Sequence, residues 1–337
     1  MSRRPGASGQ TIAACPDGAC FRVLQEGEAA SVTCLALDLA LARRGRPLRW
    51  ARETSTTGAH RVNGRPWQCP AGFTFRTHGL RIGLRANSPA ALARLREHLP
   101  PDVQAAKTRT VDRLYSLVVP RYRGFRTLYV DTDRIGRVPQ VRAIMDIFES
   151  DLQLYVADRA RRTVFVHAGV VGWKGGAIVL PGRSGAGKTT LVAELIRAGA
   201  TYYSDEYAVL DAHGRVHPFA RPLAVRTDGF RRQRRPPGSF GAKPGTRPLP
   251  VALVVVSRYR PGAGWRLRRL SSGEGALALM ANTVSVRRAP ARALAALRAV
   301  VLRAPVLRGV RGEAGEAARA LLARRDRFMR AEDRVRS

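Results

Sequence analysis

One octapeptide limits what this chain can fold into more than any other feature. Gly182-Arg183-Ser184-Gly185-Ala186-Gly187-Lys188-Thr189 has the form G-x-x-x-x-G-K-[ST]. It follows the apolar run Ala177 to Leu180 and opens a helical stretch, Thr189 to Ala198, that stops at Gly199. Such a loop works only between a strand and a helix. There the glycines let backbone N–H groups converge on phosphate oxygens, and the helix N-terminus adds partial positive charge. Gly182 to Thr190 are therefore the expected nucleotide-binding residues, with ATP and Mg²⁺ as the expected ligands. Lys188 should reach the β and γ phosphates, and the Thr189 hydroxyl should ligate the metal. Thr163 to Val171 and Gly176 to Leu180 read as a hairpin feeding the loop, and Ala200 to Ser204 and Val251 to Ser257 as further strands. The order strand, loop, helix, strand makes the fold class α/β.

Two more chemical groups stand at telling distances from the loop. Asp205 follows Lys188 by 17 residues. A helix of about ten residues rises about 15 Å, and a strand of five returns about 17 Å. Asp205 is thus expected to end the strand beside the loop's own strand, level with the phosphates, where a carboxylate can hold Mg²⁺ or accept a proton from an attacking hydroxyl. His167 lies on the first hairpin strand, 21 residues before Lys188.

Phe165-Val166-His167-Ala168-Gly169-Val170, the loop Gly182 to Thr189, and Tyr203-Ser204-Asp205-Glu206 together resemble the catalytic domain of HPr serine kinase/phosphorylase and its HPr-kinase-like relatives. The likeness spans about Pro139 to Leu210, and more loosely the strand Val251 to Ser257 and the C-terminal helices. It implies a P-loop kinase domain of the HPr-kinase/PEP-carboxykinase-like type acting on a serine hydroxyl of a small protein or peptide, lasso-peptide-like substrates included. By the same resemblance Asp205 is the general base, Glu206 a second acidic group at the metal, and His167 a partner of Asp205. The family's glycine-rich signature is not recognisable in His217 to Arg226, nor is its further metal-binding glutamate, so neither phosphorylase activity nor HPr itself is implied. An ATP-binding regulatory NTPase is the competing reading.

Composition narrows the alternatives. With 59 basic and 25 acidic residues the net charge is +34, yet 45% of residues are apolar, too many for a disordered polycation. Only Lys107, Lys174, Lys188 and Lys243 are lysines, leaving 59 − 4 = 55 arginines spread through every segment, unlike the clustered footprint of a specific nucleic-acid binder. No apolar run approaches the roughly 18 residues of a membrane span. The start of the chain lacks the apolar core of a signal peptide, and Cys15, Cys20, Cys34 and Cys69 form no C-x-x-C pair. A cytoplasmic protein is expected, with homo-oligomerisation left open. The expected organisation is a flexible tail at 1–20, an α+β domain at 21–138, and the P-loop domain at 139–330. Within the last, the proline-rich basic segment 228–250 is expected to be a mobile loop whose arginines, Arg247 among them, hold an acidic peptide or the γ-phosphate.

Overall fold

Alternating apolar residues between Ala71 and Val138 build a first sheet. The structure, a computed structural model, describes residues 71–108, 110–182, 186–227 and 231–336, with two-residue strand pieces at 48–49, 61–62 and 65–66. The 1–20 tail, the four cysteines, Arg183, Ser184, Gly185 and residues 228–230 lie outside the described residues. The described residues all belong to one compact unit, Pro47–Ser337.

The first sheet runs β1 (Ala71–Thr77), β2 (Leu80–Ala86), β3 (Arg113–Val118), β4 (Arg126–Val130) and β5 (Asp133–Val138). Its order is β5-β4-β3-β2-β1, with the short strand Gln104–Ala105 at the far edge. Only β2 and β3 are parallel, joined through α1 (Pro89–Glu97). That helix starts as its sequence predicts, with Ser88 accepting from the Ala91 N–H and Pro89 in the first turn. The 3.6-residue periodicity after Pro139 becomes α2 (Val141–Arg159). Its apolar face, including Ile144, Phe148 and Leu152, shares a core with Phe75, Leu84 and Tyr115 of the first sheet and with Phe165, Tyr207 and Phe219 from beyond it. Phe165 meets Tyr207 and Phe219 edge-on at 5.6 and 5.8 Å. Burying each of these side chains contributes about 1.5–3 kcal/mol.

The second sheet begins with the expected hairpin, β6 (Val164–Trp173) and β7 (Gly176–Pro181), paired Val170 to Val179. Its turn, Lys174-Gly175, has φ of 45° and 78°, the primed geometry that suits strand twist. The loop that begins at Gly182 leads from β7 into α3 (Lys188–Arg197). A Cβ on Gly169 would stand 2.6 Å from Val192, so glycine there lets α3 seat closely on β6. Next come β8 (Thr201–Ser204), β9 (Tyr207–Leu210) and β10 (Arg215–His217). Here one expectation is corrected: β8 does not lie beside β7 but runs antiparallel to β6. The reason is that β7 has only two edges, one taken by its hairpin partner and the other by a later strand.

The proline-rich basic segment holds regular structure where a loop was expected. β11 (Leu223–Thr227) and β12 (Arg231–Arg235) form a two-stranded hairpin, and a single 3-10 turn, Pro237–Phe240, follows. Backbone pairing needs no apolar side chains, and Phe240 and Ala242 supply the buried anchor that net composition hides. β13 (Leu249–Tyr259) runs parallel to β7 and to β15 (Val306–Arg311), and β14 (Arg266–Arg269) is the edge strand beside β15. Val254 pairs with both Val179 and Val306, so the carboxyl ends of the three parallel strands lie together beside the loop. In open α/β sheets that end is where ligands bind. The remaining helices are α4 (Ser272–Met280), with its Ser271–Glu274 capping box formed, α5 (Pro290–Val301) and α6 (Ala314–Arg336). Among the described residues no helix is long and apolar enough to cross a membrane.

Candidate functional site

Gly182 opens the loop and donates its N–H to the His167 carbonyl at 3.2 Å, tying the loop to β6. Gly187 closes it at φ +77°, a left-handed conformation that side chains rarely adopt. Lys188 begins α3 and folds back, its Nζ donating to the Gly182 carbonyl at 2.6 Å. Thr189 follows half-buried, whereas Thr190 is exposed.

Asp205 reaches this loop from a tight turn between β8 and β9. The Ser204 hydroxyl shapes the turn by accepting from the N–H groups of Glu206 and Tyr207 at 3.3 and 3.1 Å. Asp205 is only 9% exposed. The Thr189 hydroxyl and the Ala224 N–H of β11 donate to its carboxylate, yet Oδ1 is buried with no hydrogen-bond partner among the described residues. Burial pushes its pKa up to about 7; the negative charge of Glu206 adds to this, while the Thr189 hydrogen bond and the Lys188 ammonium oppose it.

His167 presents a fixed tautomer. Its Nδ1 lies 2.9 Å from the Glu206 carbonyl, which can only accept, so Nδ1 carries the proton and Nε2 keeps its lone pair. Burial, with the nearby Lys188 charge, lowers its pKa to about 4, and the ring is neutral at physiological pH. That Nδ1 bond goes to Glu206's backbone and not to the Asp205 carboxylate. Lys188, Thr189, Asp205, Glu206 and His167 are thus brought together. Arg247, by contrast, is exposed and engages Tyr203 through its carbonyl, at 2.8 Å.

Three features escaped the sequence reading. The first is Ala224, whose backbone N–H is an Asp205 partner. The second is what holds its hairpin: Glu149 on α2, 4% exposed, accepts from His98 Nδ1 at 3.0 Å, from Gln153 at 3.2 Å, and from Arg221 and Arg234. Burial alone would raise its pKa, but the His98 hydrogen bond and the two guanidinium groups outweigh that and hold it at about 2. A charged residue in register with Met145 and Leu152 on an apolar face was the available signal. The third is Arg311 at the end of β15, 2% exposed, which donates from Nη2 to the Gly187 carbonyl at 2.8 Å. Nothing marks it in sequence among 55 arginines.

The donor set suits a hard cation. An orphaned, buried carboxylate oxygen and a hydroxyl are oxygen ligands of the kind Mg²⁺ takes, usually from one or two carboxylates with phosphates supplying the rest. Among the described residues no cluster of three His, Cys, Asp or Glu side chains is placed to hold a metal ion. No family model matches the chain, and no curated protein sequence matches it, so the geometry of this loop and its carboxylate carries the functional argument.

Proposed function

We propose that the chain is an ATP-dependent kinase with an HPr-kinase-like P-loop domain, transferring the γ-phosphoryl group to a hydroxyl of a small protein or peptide. The observation that carries this reading is Asp205: a buried carboxylate poised near pH 7, bonded to the loop's Thr189, beside Lys188, with one oxygen orphaned. A general base is most effective when its pKa lies near the working pH. A strand-borne, neutral His167 and an α/β core with three parallel strands also support it.

In this mechanism the loop's N–H groups and Lys188 hold the β and γ phosphates, and Lys188 stabilises the charge that develops as the terminal phosphoryl group departs. Mg²⁺, when bound, neutralises phosphate charge, and Thr189 and Glu206 would hold it. Asp205 accepts the proton of the attacking hydroxyl. His167, whose Nε2 can only accept, would serve as the partner of Asp205, taking a hydrogen bond from that carboxyl once it is protonated. Ionised Asp205 is the active form, so transfer rises as pH passes through about 7.

Purified protein incubated with γ-labelled ATP and a lysate of its own cell tests the proposal. Label on a small polypeptide is the expected outcome. Label only in free phosphate would instead make the chain an NTPase, and no turnover or nucleotide binding at all would overturn both readings.

A further inference from the structure

Resting on that nucleotide reading, we infer that Arg311 is a positioning residue of the phosphate loop, the buried cation that sets the shape and charge of the Gly187 turn. Arg311 is the largest of the fully buried side chains among the described residues; no carboxylate forms a direct ion pair with it there, and the charge of Glu313, to which the Tyr259 hydroxyl donates at 3.0 Å, acts on it from farther off. Its guanidinium is held instead by two carbonyls, Gly187 at 2.8 Å and Gly312 at 3.0 Å, and by the ring of Tyr259, 5.3 Å away. Among the described residues its Nε has no hydrogen-bond partner. A buried guanidinium held by carbonyls and no direct ion pair is costly to the fold, and such groups persist where something else requires them.

The location says what requires it. β15 is the third of the parallel strands, and Arg311 stands at its carboxyl end in register with Tyr259 of β13. With Leu180, Ala186, Gly187, Lys188 and Ser257 it lines a small cavity under the loop. The Gly187 carbonyl also accepts the first helical bond of α3, from Leu191 at 3.2 Å. By pulling on that carbonyl, Arg311 fixes the peptide plane whose N–H side belongs to the anion cradle. A Cβ at Gly187 would stand 2.5 Å from Nη2, so only glycine allows this approach. The guanidinium also adds positive potential under a loop whose proposed ligand is strongly negative.

Such a residue should act on the phosphates common to ATP, ADP and pyrophosphate, and not on the base or the acceptor. The full-length wild type, Arg311→Met and Arg311→Lys are titrated calorimetrically with magnesium pyrophosphate, MgADP and MgATP, and each is melted without ligand. Arg311→Met should weaken all three ligands by a similar factor of about ten or more, the scale of a lost charge-assisted interaction. Its ligand-free melting temperature should stay within about 3 °C of wild type, because removing the desolvation cost of a buried charge offsets the lost hydrogen bonds. Arg311→Lys, keeping the charge and one donor, should recover part of the affinity. Unchanged affinity in Arg311→Met would overturn the inference while leaving the nucleotide site intact. So would an affinity loss that Lys does not relieve and that tracks a fall in melting temperature, because Arg311 would then be merely structural. If wild type binds none of the three ligands, the nucleotide reading itself fails and takes this inference with it.

Discussion

Two buried carboxylates, bonded to the directly paired residues Ala224 and Arg234 of the β11–β12 hairpin, have opposite fates. Around Glu149, four donors from three segments of the chain converge on one carboxylate, and its pKa falls to about 2. Around Asp205, burial is not fully compensated, one oxygen has no partner among the described residues, and the pKa rises to about 7. A saturated charge holds segments together, whereas an unsaturated one is kept at the expense of the fold and is available to a ligand or a proton. The same hairpin touches both, since Arg234 on β12 bonds Glu149 and Ala224 on β11 bonds Asp205.

Substitutions can break this contrast. The largest effect is expected from Lys188→Ala, which removes the cation at the unsaturated site: phosphoryl transfer should fall by about 10³-fold or more and MgATP binding should weaken, with little change in melting temperature. Undiminished turnover, read with γ-labelled ATP, would remove the phosphate loop from the mechanism.

Asp205→Asn should retain nucleotide binding and lose about 10²–10⁴-fold in transfer, the scale of a missing general base. If single-turnover kinetics show transfer surviving while MgATP affinity collapses, Asp205 serves chiefly as metal ligand and the base is elsewhere.

At the saturated end the readout should switch from rate to stability. Glu149→Ala leaves Arg221 buried without its carboxylate and should cost about 3 kcal/mol in urea denaturation, with only a secondary effect on turnover. An activity loss exceeding the stability loss would show that the two carboxylates are not separate in function.

The subtlest test is the sign of pH dependence. Asp205 has a folded pKa above its unfolded value, so its contribution worsens as pH rises from about 4 to 7, by at most about 1.4 kcal/mol per pH unit. Glu149 has a folded pKa below its unfolded value, so its stabilisation is complete above about 4.5 and is lost as pH falls toward 2. Subtracting the stability profiles of Asp205→Asn and Glu149→Gln from wild type should yield slopes of opposite sign in those windows, and slopes of one sign would contradict the contrast.

Much of the α/β core was legible because local signals agreed: hydrophobic runs of strand length, a glycine-lysine loop at the strand-to-helix junction, and caps at Ser88 and Ser271 that form as written. The loop, Asp205 and His167 were legible because motif spacing survives as proximity. Strand pairing was not. That β8 lies against β6 depends on which edges of β7 are free, a long-range matter on which residues 200 to 204 are silent. The 231–235 strand was missed because Arg-Arg-Gln-Arg-Arg offers no apolar alternation, its order coming from backbone pairing to 223–227 and from Glu149, 85 residues away from Arg234. His167's tautomer rests on a backbone carbonyl, and a carbonyl has no signature in a sequence.

The loop as it stands occupies its own functional groups: Lys188 is bonded to Gly182 and Thr189 to Asp205. A ligand arriving here must exchange contacts with those groups, and the net gain is smaller than the number of new bonds suggests. A single-charge anion able to draw away Lys188 alone leaves the second internal pair in place, while a metal-bound polyphosphate can replace both at once. Selectivity against the abundant small anions of a cell would then arise from competition with the loop's own internal contacts, before any part of the proposed nucleotide other than its phosphates is read.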